Sequence, residues 1–197
     1  MIRKSTGPGD FAKAYFGYLK KVLDRIDTAS IDSLVAELEE ARSNGNTVFI
    51  AGNGGSAATA TSMGNDLGFD VIKKAGTDKP FRVFALTDNT SVLTAIANDV
   101  GYENVFLNQL KIHYRPGDKF LAISASGNSP NVLVAAEWVK IQGGNVISFV
   151  GFNGGKLKEI SDVVIHVGTE IGEYGPVEDA HLVLNHVLAH WFQLRLK

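Results

Sequence analysis

The chain has 197 residues, 45% of them apolar, which is enough to bury one sizeable core and fits a single domain over 1–197 better than two. A formal net charge of -2, with no long basic run, argues against a direct nucleic-acid surface on one subunit, and no tract is apolar enough to span a membrane. There is no cysteine, which excludes disulfide and thiolate chemistry, and the polar start MIRKSTGPGDF lacks the apolar stretch of an export signal; both fit a cytoplasmic protein.

In chain order, Phe11, Tyr15, Tyr18, Val22 and Ile26 recur at helical spacing over 10–26. After a Thr-Ala-Ser break, Ile31, Leu34, Val35, Leu38 and Ala41 repeat the pattern up to the stop signal Asn44-Gly45-Asn46. With Phe16 and Leu19 added, this pair of helices over 10–44 has more apolar positions than one core needs, so it is expected in oligomer contacts. Five apolar runs follow: TVFIAG (47–52), FRVFALT (81–87), KFLAISAS (119–126), NVISFVG (145–151) and DVVIHVG (162–168). They lack strict polar alternation, as parallel strands covered on both faces do.

Between these runs, 56–67, 90–98, 129–142 and the shorter 155–160 are suited to crossover helices. A long helix over 175–196 closes the chain, with Val177, Ala180, Leu184, Val187, Leu188, Trp191 and Leu194 at helical spacing. Its polar stripe, Glu178, His181, Asn185 and His186, is expected opposite Leu184, Leu188 and Trp191, facing either the site, or solvent and another subunit. The rhythm predicts an α/β fold: a three-layer α/β/α sandwich on a five-stranded parallel sheet, preceded by an N-terminal helical pair.

Ligands of such sheets bind outside the carboxyl ends of the strands. GNGGSA stands there after the first run, where glycines let the backbone approach an anion and the next helix offers unpaired amides. The third run enters SASGNSPN, which sets Ser124, Ser126, Asn128 and Ser129 around Gly127, with Pro130 suited to a first helical turn. Neither loop is a Walker motif, because no lysine follows the glycines, and GxGxxG fails at Ala57. Two hydroxyl- and glycine-rich strand ends in one chain point to a shared phosphate. For Asp88 and Asn89 helix cap and ligand contact both stay open, as site and solvent do for Glu170 and Glu173; His113, His166 and His190 read as lying outside the chemistry.

The two loops in this order, with a histidine-bearing final helix, resemble the sugar isomerase (SIS) domain family, most closely its phosphoheptose isomerase branch, over nearly the whole chain. The resemblance implies an SIS-type, flavodoxin-like sandwich without nucleotide, a homotetramer with interfacial sites, and a phosphorylated sugar as ligand. It places Asn53, Gly54, Gly55 and Ser56 at the first substrate loop, Asn98 and Asp99 at a second substrate position, and Ser124, Ala125, Ser126 and Ser129 at the phosphate loop. It implies Asp66 as base and His186 as acid in aldose–ketose isomerisation through an enediol, for example of sedoheptulose 7-phosphate.

At the family's four metal-ligand positions this chain has Ser62 for histidine, Asp66 for glutamate, Glu178 for glutamine, and His186. Asp66, Glu178 and His186 are the residues left to hold a divalent ion such as zinc. Asp66 is one methylene shorter than glutamate, which costs reach unless its helix moves inward. Two further readings share the loops: a non-catalytic SIS protein that binds phosphosugar and acts through a partner, as the relative associated with the bacterial replication initiator does, and an isomerase of another phosphosugar.

Overall fold

The computed structural model describes residues 5–197; the first four residues of the polar start lie outside the described residues. Strands β1 (Thr47–Gly52), β2 (Arg82–Ala85), β3 (Lys119–Ser124), β4 (Asn145–Gly151) and β5 (Val163–Val167) pair in parallel, in the order β2-β1-β3-β4-β5. The order reverses between β1 and β3, where Ala51 pairs with Ala122 and Gly52 with Ile123. That reversal opens the crevice in which a doubly wound sheet binds its ligand.

Alternate residues of the inner strands feed opposite layers, which accounts for their continuous apolar runs, whereas the edge strand β2 leaves Arg82 and Phe84 exposed. Val48, Ile50, Leu121, Ile123, Ile147 and Phe149 meet helices α2 (Thr28–Asn44), α3 (Gly55–Met63) and the final helix. Phe49, Ala51, Phe120, Ala122, Val146 and Val150 face the other layer. That layer comprises α6 (Leu107–His113), α7 (Pro130–Ile141) and α8 (Gly155–Ile160), with partly buried residues of α5 (Thr90–Asp99) packed against it. Each large side chain so buried contributes roughly 1.5–3 kcal/mol of transfer free energy.

Helix α1 (Pro8–Leu23) opens the described chain and packs on the final helix, α9 (Tyr174–Arg195). Tyr15 donates to Asp179 Oδ2 at 2.5 Å and Tyr18 to Glu173, ties that link the N-terminal helix to the entrance of α9. Burial, reinforced by these carboxylates, holds both phenols above their ordinary range. Phe11 and Phe16 stay exposed on α1.

Two elements depart from the sequence pattern. The helix expected over 56–67 continues beyond α3 through a π-helical stretch, Gly64–Asp70, into α4 (Val71–Ala75). And α9 is turned relative to the expected stripe: His181 and Asn185 are fully buried, whereas Val187, Trp191 and Leu194 are exposed. The expectation of a solvent- or subunit-facing polar stripe is thereby corrected for these two residues. The α9 face that meets the sheet and the π stretch accepts the polar pair, and the displaced apolar residues form an outer stripe.

Candidate active site

The first loop is set by close approach. A Cβ on Gly52 would stand 2.7 Å from Ser56 Cβ and 2.9 Å from the Ile123 carbonyl oxygen, so glycine is what lets β1, β3 and the start of α3 converge. Gly54 then turns with φ of 54° and α3 begins at Gly55. Asn53 is held by a reciprocal amide pair with buried Asn131 of α7, 2.9 Å in each direction, and it also accepts from the Tyr102 hydroxyl at 2.9 Å. Its side chain links the two loops across the crevice. Sequence reasoning gave no role to Asn131 or Tyr102; Asn131 is the last residue of SASGNSPN, and Tyr102 lies in the segment that carries Asn98 and Asp99.

In the second loop the Ser124 and Ser129 hydroxyls stand 3.0 Å apart, Gly127 N–H donates to Ser124 Oγ at 3.2 Å, and Asn128 N–H donates to Ser126 Oγ at 3.2 Å. Ser129 precedes α7 without capping it, and Pro130 starts the helix. A small cleft is lined by Asn53, Ser56, Ser124, Ala125, Ser126, Ser129 and Glu178, together with Ile123 and Tyr174. Gly54 and Gly55 border it at the start of α3, where a Cβ on Gly55 would lie 2.3 Å from Glu178 Oε2. The Glu178 carboxylate thus already rests at the positive end of α3.

Asn98 and Asp99 are not among the lining residues; they are exposed at the end of α5, with Asn98 Nδ2 donating to Asp99 Oδ1 at 2.7 Å. A larger cleft at the β2 edge, lined by Phe84, Asp88 and Asn89, contains none of the expected site residues. Its polar groups are committed locally: Asp88 accepts from Thr61 at 2.5 Å, and Asn89 caps α5 by accepting from Val92 N–H at 3.1 Å.

Asp66 and His186 meet outside the serine cleft, further along the same two helices, α3 with its π continuation and α9. The π stretch carries Asp66 against α9, where Oδ2 is 3.6 Å from His186 Nε2. A wide π turn inserts a residue and shifts the helix phase, a device common at functional sites. Asp66 is 15% exposed and His186 57%, so the pair opens to solvent on the imidazole side.

Three further donors serve the same carboxylate: Asn185 Nδ2 at 2.6 Å and Ser62 Oγ at 3.2 Å on Oδ2, and Asn65 Nδ2 at 2.9 Å on Oδ1. His181, one turn before Asn185, is buried against Phe149, and burial pushes its imidazole down to about 4 against a smaller opposing pull from the Val150 backbone. It is a neutral packing residue at pH 7.

Glu178 is eight residues from His186, about 12 Å along α9 at about 1.5 Å per residue. Among the described residues no group of three or more His, Cys, Asp or Glu side chains could hold a metal ion. Ser62 and Asn185 turn toward Asp66 as hydrogen-bond donors and do not complete a ligand set. Zinc sites ordinarily take three or more protein ligands, so this donor set within one subunit does not fit a bound zinc ion.

A doubly wound parallel sheet with two serine–glycine loops at its reversal and a carboxylate–imidazole pair on its helices is the architecture of an α/β ligand-binding domain. The SIS domain model matches residues 14–151. The phosphoheptose isomerase of Aneurinibacillus thermoaerophilus is 36% identical over 159 residues, 80% of this chain and 77% of that protein. That of Rhodospirillum rubrum is 40% identical over 144 residues, covering 73% and 74%. The solved phosphoheptose isomerase of Neisseria gonorrhoeae superposes with a TM-score of 0.82 at 26% identity, over 94% of this chain and 98% of that one. The chain belongs to the SIS-domain family, in its phosphoheptose isomerase branch.

Proposed function

We propose that the chain interconverts sedoheptulose 7-phosphate with its aldose isomer, heptose 7-phosphate, through an enediol. It is a phosphosugar isomerase, and the observation that carries the mechanism is the Asp66–His186 pair at 3.6 Å. Asp66 removes the proton from C1 of the open-chain ketose, and the electron pair moves into a C1–C2 double bond as the C2 carbonyl oxygen gains a proton from His186. Return of the proton to C2, with loss of one from the C1 hydroxyl, yields the aldose. The net change moves two hydrogens between adjacent carbons and consumes no co-reactant.

The phosphate belongs on the second loop. The hydroxyls of Ser124, Ser126 and Ser129 converge at the start of α7, whereas the start of α3 is already faced by the Glu178 carboxylate. Asn53, Gly54, Gly55, Ser56, Ala125 and Glu178 are then left to face sugar hydroxyls. The separation of this cleft from Asp66 along α9 suits a long open-chain sugar, whose reacting carbons lie at the end opposite its phosphate. Ser124→Ala and Ser126→Ala are each expected to weaken phosphosugar binding about tenfold, the loss of one hydrogen bond to a charged group. Calorimetry that finds unchanged affinity in both variants removes this placement, and a coupled ketose-to-aldose assay over five- to seven-carbon phosphates identifies the substrate.

The reading extends to assembly and place. The exposed stripe Val183, Val187, Trp191 and Leu194 on α9, with Phe11 and Phe16 on α1, supports a homotetramer of single-domain 1–197 subunits that uses the N-terminal helices in its contacts. Sedimentation at micromolar concentration is expected to give a tetramer, and a monomer there overturns it. Among the described residues no helix is long and apolar enough to cross a membrane. With the lack of cysteine, this supports a cytoplasmic location.

A further inference from the structure

The disagreement between this donor set and a metal site points to a different device at the same place. Asn185 is fully buried in α9, and its Oδ1 has no hydrogen-bond partner among the described residues, while its Nδ2 lies 2.6 Å from Asp66 Oδ2 and 3.3 Å from Ser62 Oγ. Leucine would fill that volume with no orphaned carbonyl, so an amide is disfavoured there unless its N–H serves a purpose. The one carboxylate it reaches is Asp66, on the same oxygen that faces His186. Ser62 completes the arrangement from one turn before Asp66.

Resting on the isomerase reading above, we infer that Asn185 is the positioning residue for Asp66, and that Asn185 and Ser62 together hold its carboxylate by hydrogen bonds where a divalent ion would otherwise fix it. Proton transfer then proceeds without bound metal. Two neutral donors at 2.6 and 3.2 Å anchor one oxygen of a short side chain on a wide π turn, which has little else to orient it. The Asn65 side-chain amide engages the other oxygen from an exposed position next to Asp66, so it orients Asp66 less firmly than a donor buried in a second helix.

The test follows deuterium incorporation from heavy water into bound ketose phosphate, phosphosugar affinity by calorimetry, and bound metal by elemental mass spectrometry. The unmodified protein, stripped with a chelator, is expected to keep its exchange rate and to gain no stoichiometric zinc on reloading. Asn185→Leu is expected to lower exchange about 100-fold with affinity unchanged within threefold, since misplacing a catalytic group by about an ångström costs that much. Ser62→Ala, which removes the longer bond, is expected to lower it severalfold and serves as the second variant should Asn185→Leu not fold. A merely structural role for Asn185 would change melting temperature and leave the exchange rate per folded enzyme intact, and that result overturns the inference. So does a stripped enzyme that loses exchange and recovers it with one equivalent of zinc. Absence of exchange in the unmodified protein with every phosphosugar tried overturns the isomerase reading as well, whereas exchange unaffected by Asn185→Leu and Ser62→Ala overturns this inference alone.

Discussion

Asp66→Asn is expected to slow solvent exchange of the ketose phosphate C1 proton by roughly 10³-fold while phosphosugar affinity stays within threefold of the parent, because general-base removal costs on the order of 10²–10⁴. The asparagine keeps the volume and still meets Asn185 and Ser62, but it has no basic oxygen for the substrate proton. His186→Ala is expected to depress the same exchange, with a smaller effect on affinity than either loop serine. The imidazole is 57% exposed and is not among the residues lining the serine cleft, so its loss removes proton delivery and leaves the cradle intact. Exchange in Asp66→Asn at the parent rate sinks the assignment of the base. Parent-like exchange in His186→Ala transfers the acid role to another group or to water.

The two halves of this site differ in how far the sequence reveals them. The phosphate side is local: each loop joins one strand to the next helix, so Ser56, Ser124, Ser126 and Ser129 are placed by a strand end and a few residues of turn. All five expected runs contain a strand; burial on both faces leaves runs such as KFLAIS without polar alternation, but β2, at the sheet edge, exposes Arg82 and Phe84 and is not covered on both faces as expected. The proton-transfer side is tertiary. Nothing in GNDLGFD distinguishes a π stretch from an ordinary helix with two unfavourable glycines, because the wide turn is imposed by packing against α9.

The final helix misled for a related reason. Helical spacing identifies its two faces but does not say which one is buried when both carry apolar residues. Leu184 and Leu188 point inward as the pattern implies, yet Asn185 and His181 go with them and Trp191 does not. Only knowledge that Asp66 lies opposite makes a buried asparagine intelligible at 185. Asn98 and Asp99 entered by resemblance alone, and within one subunit they stay exposed and away from the cleft that the serines form.

Gly127→Ala is expected to be the most damaging single substitution in the phosphate cradle, and Gly143→Ala isolates the reason. Both glycines have left-handed backbones, with φ of 63° and 75°, so alanine at either incurs about 1–2 kcal/mol of conformational strain. At Gly143 an added Cβ meets nothing within 4 Å. At Gly127 it would stand 1.9 Å from the Gly154 carbonyl oxygen and 2.6 Å from the Gly154 carbonyl carbon, backbone atoms that no rotamer change removes. That approach seats the serine loop on the β4–α8 turn, through Leu157 N–H to Gly127 O at 2.9 Å, Lys156 N–H to Asn128 Oδ1 at 3.1 Å, and Gly151 N–H to Ala125 O at 2.9 Å. Forcing the two loops apart breaks these bonds and swings Ser124, Ser126 and Ser129 off their common target. Gly127→Ala is therefore expected to lose about 3–5 kcal/mol of stability, in the range of backbone strain combined with a buried clash, and roughly 10 °C in melting temperature. Phosphosugar affinity falls with it by at least about tenfold, the loss of one charged hydrogen bond. Gly143→Ala is expected to lose only a few degrees, with affinity unchanged. Equal melting temperatures for the two variants mean that the β4–α8 turn yields freely, and the loop is then not held in the way that places its hydroxyls.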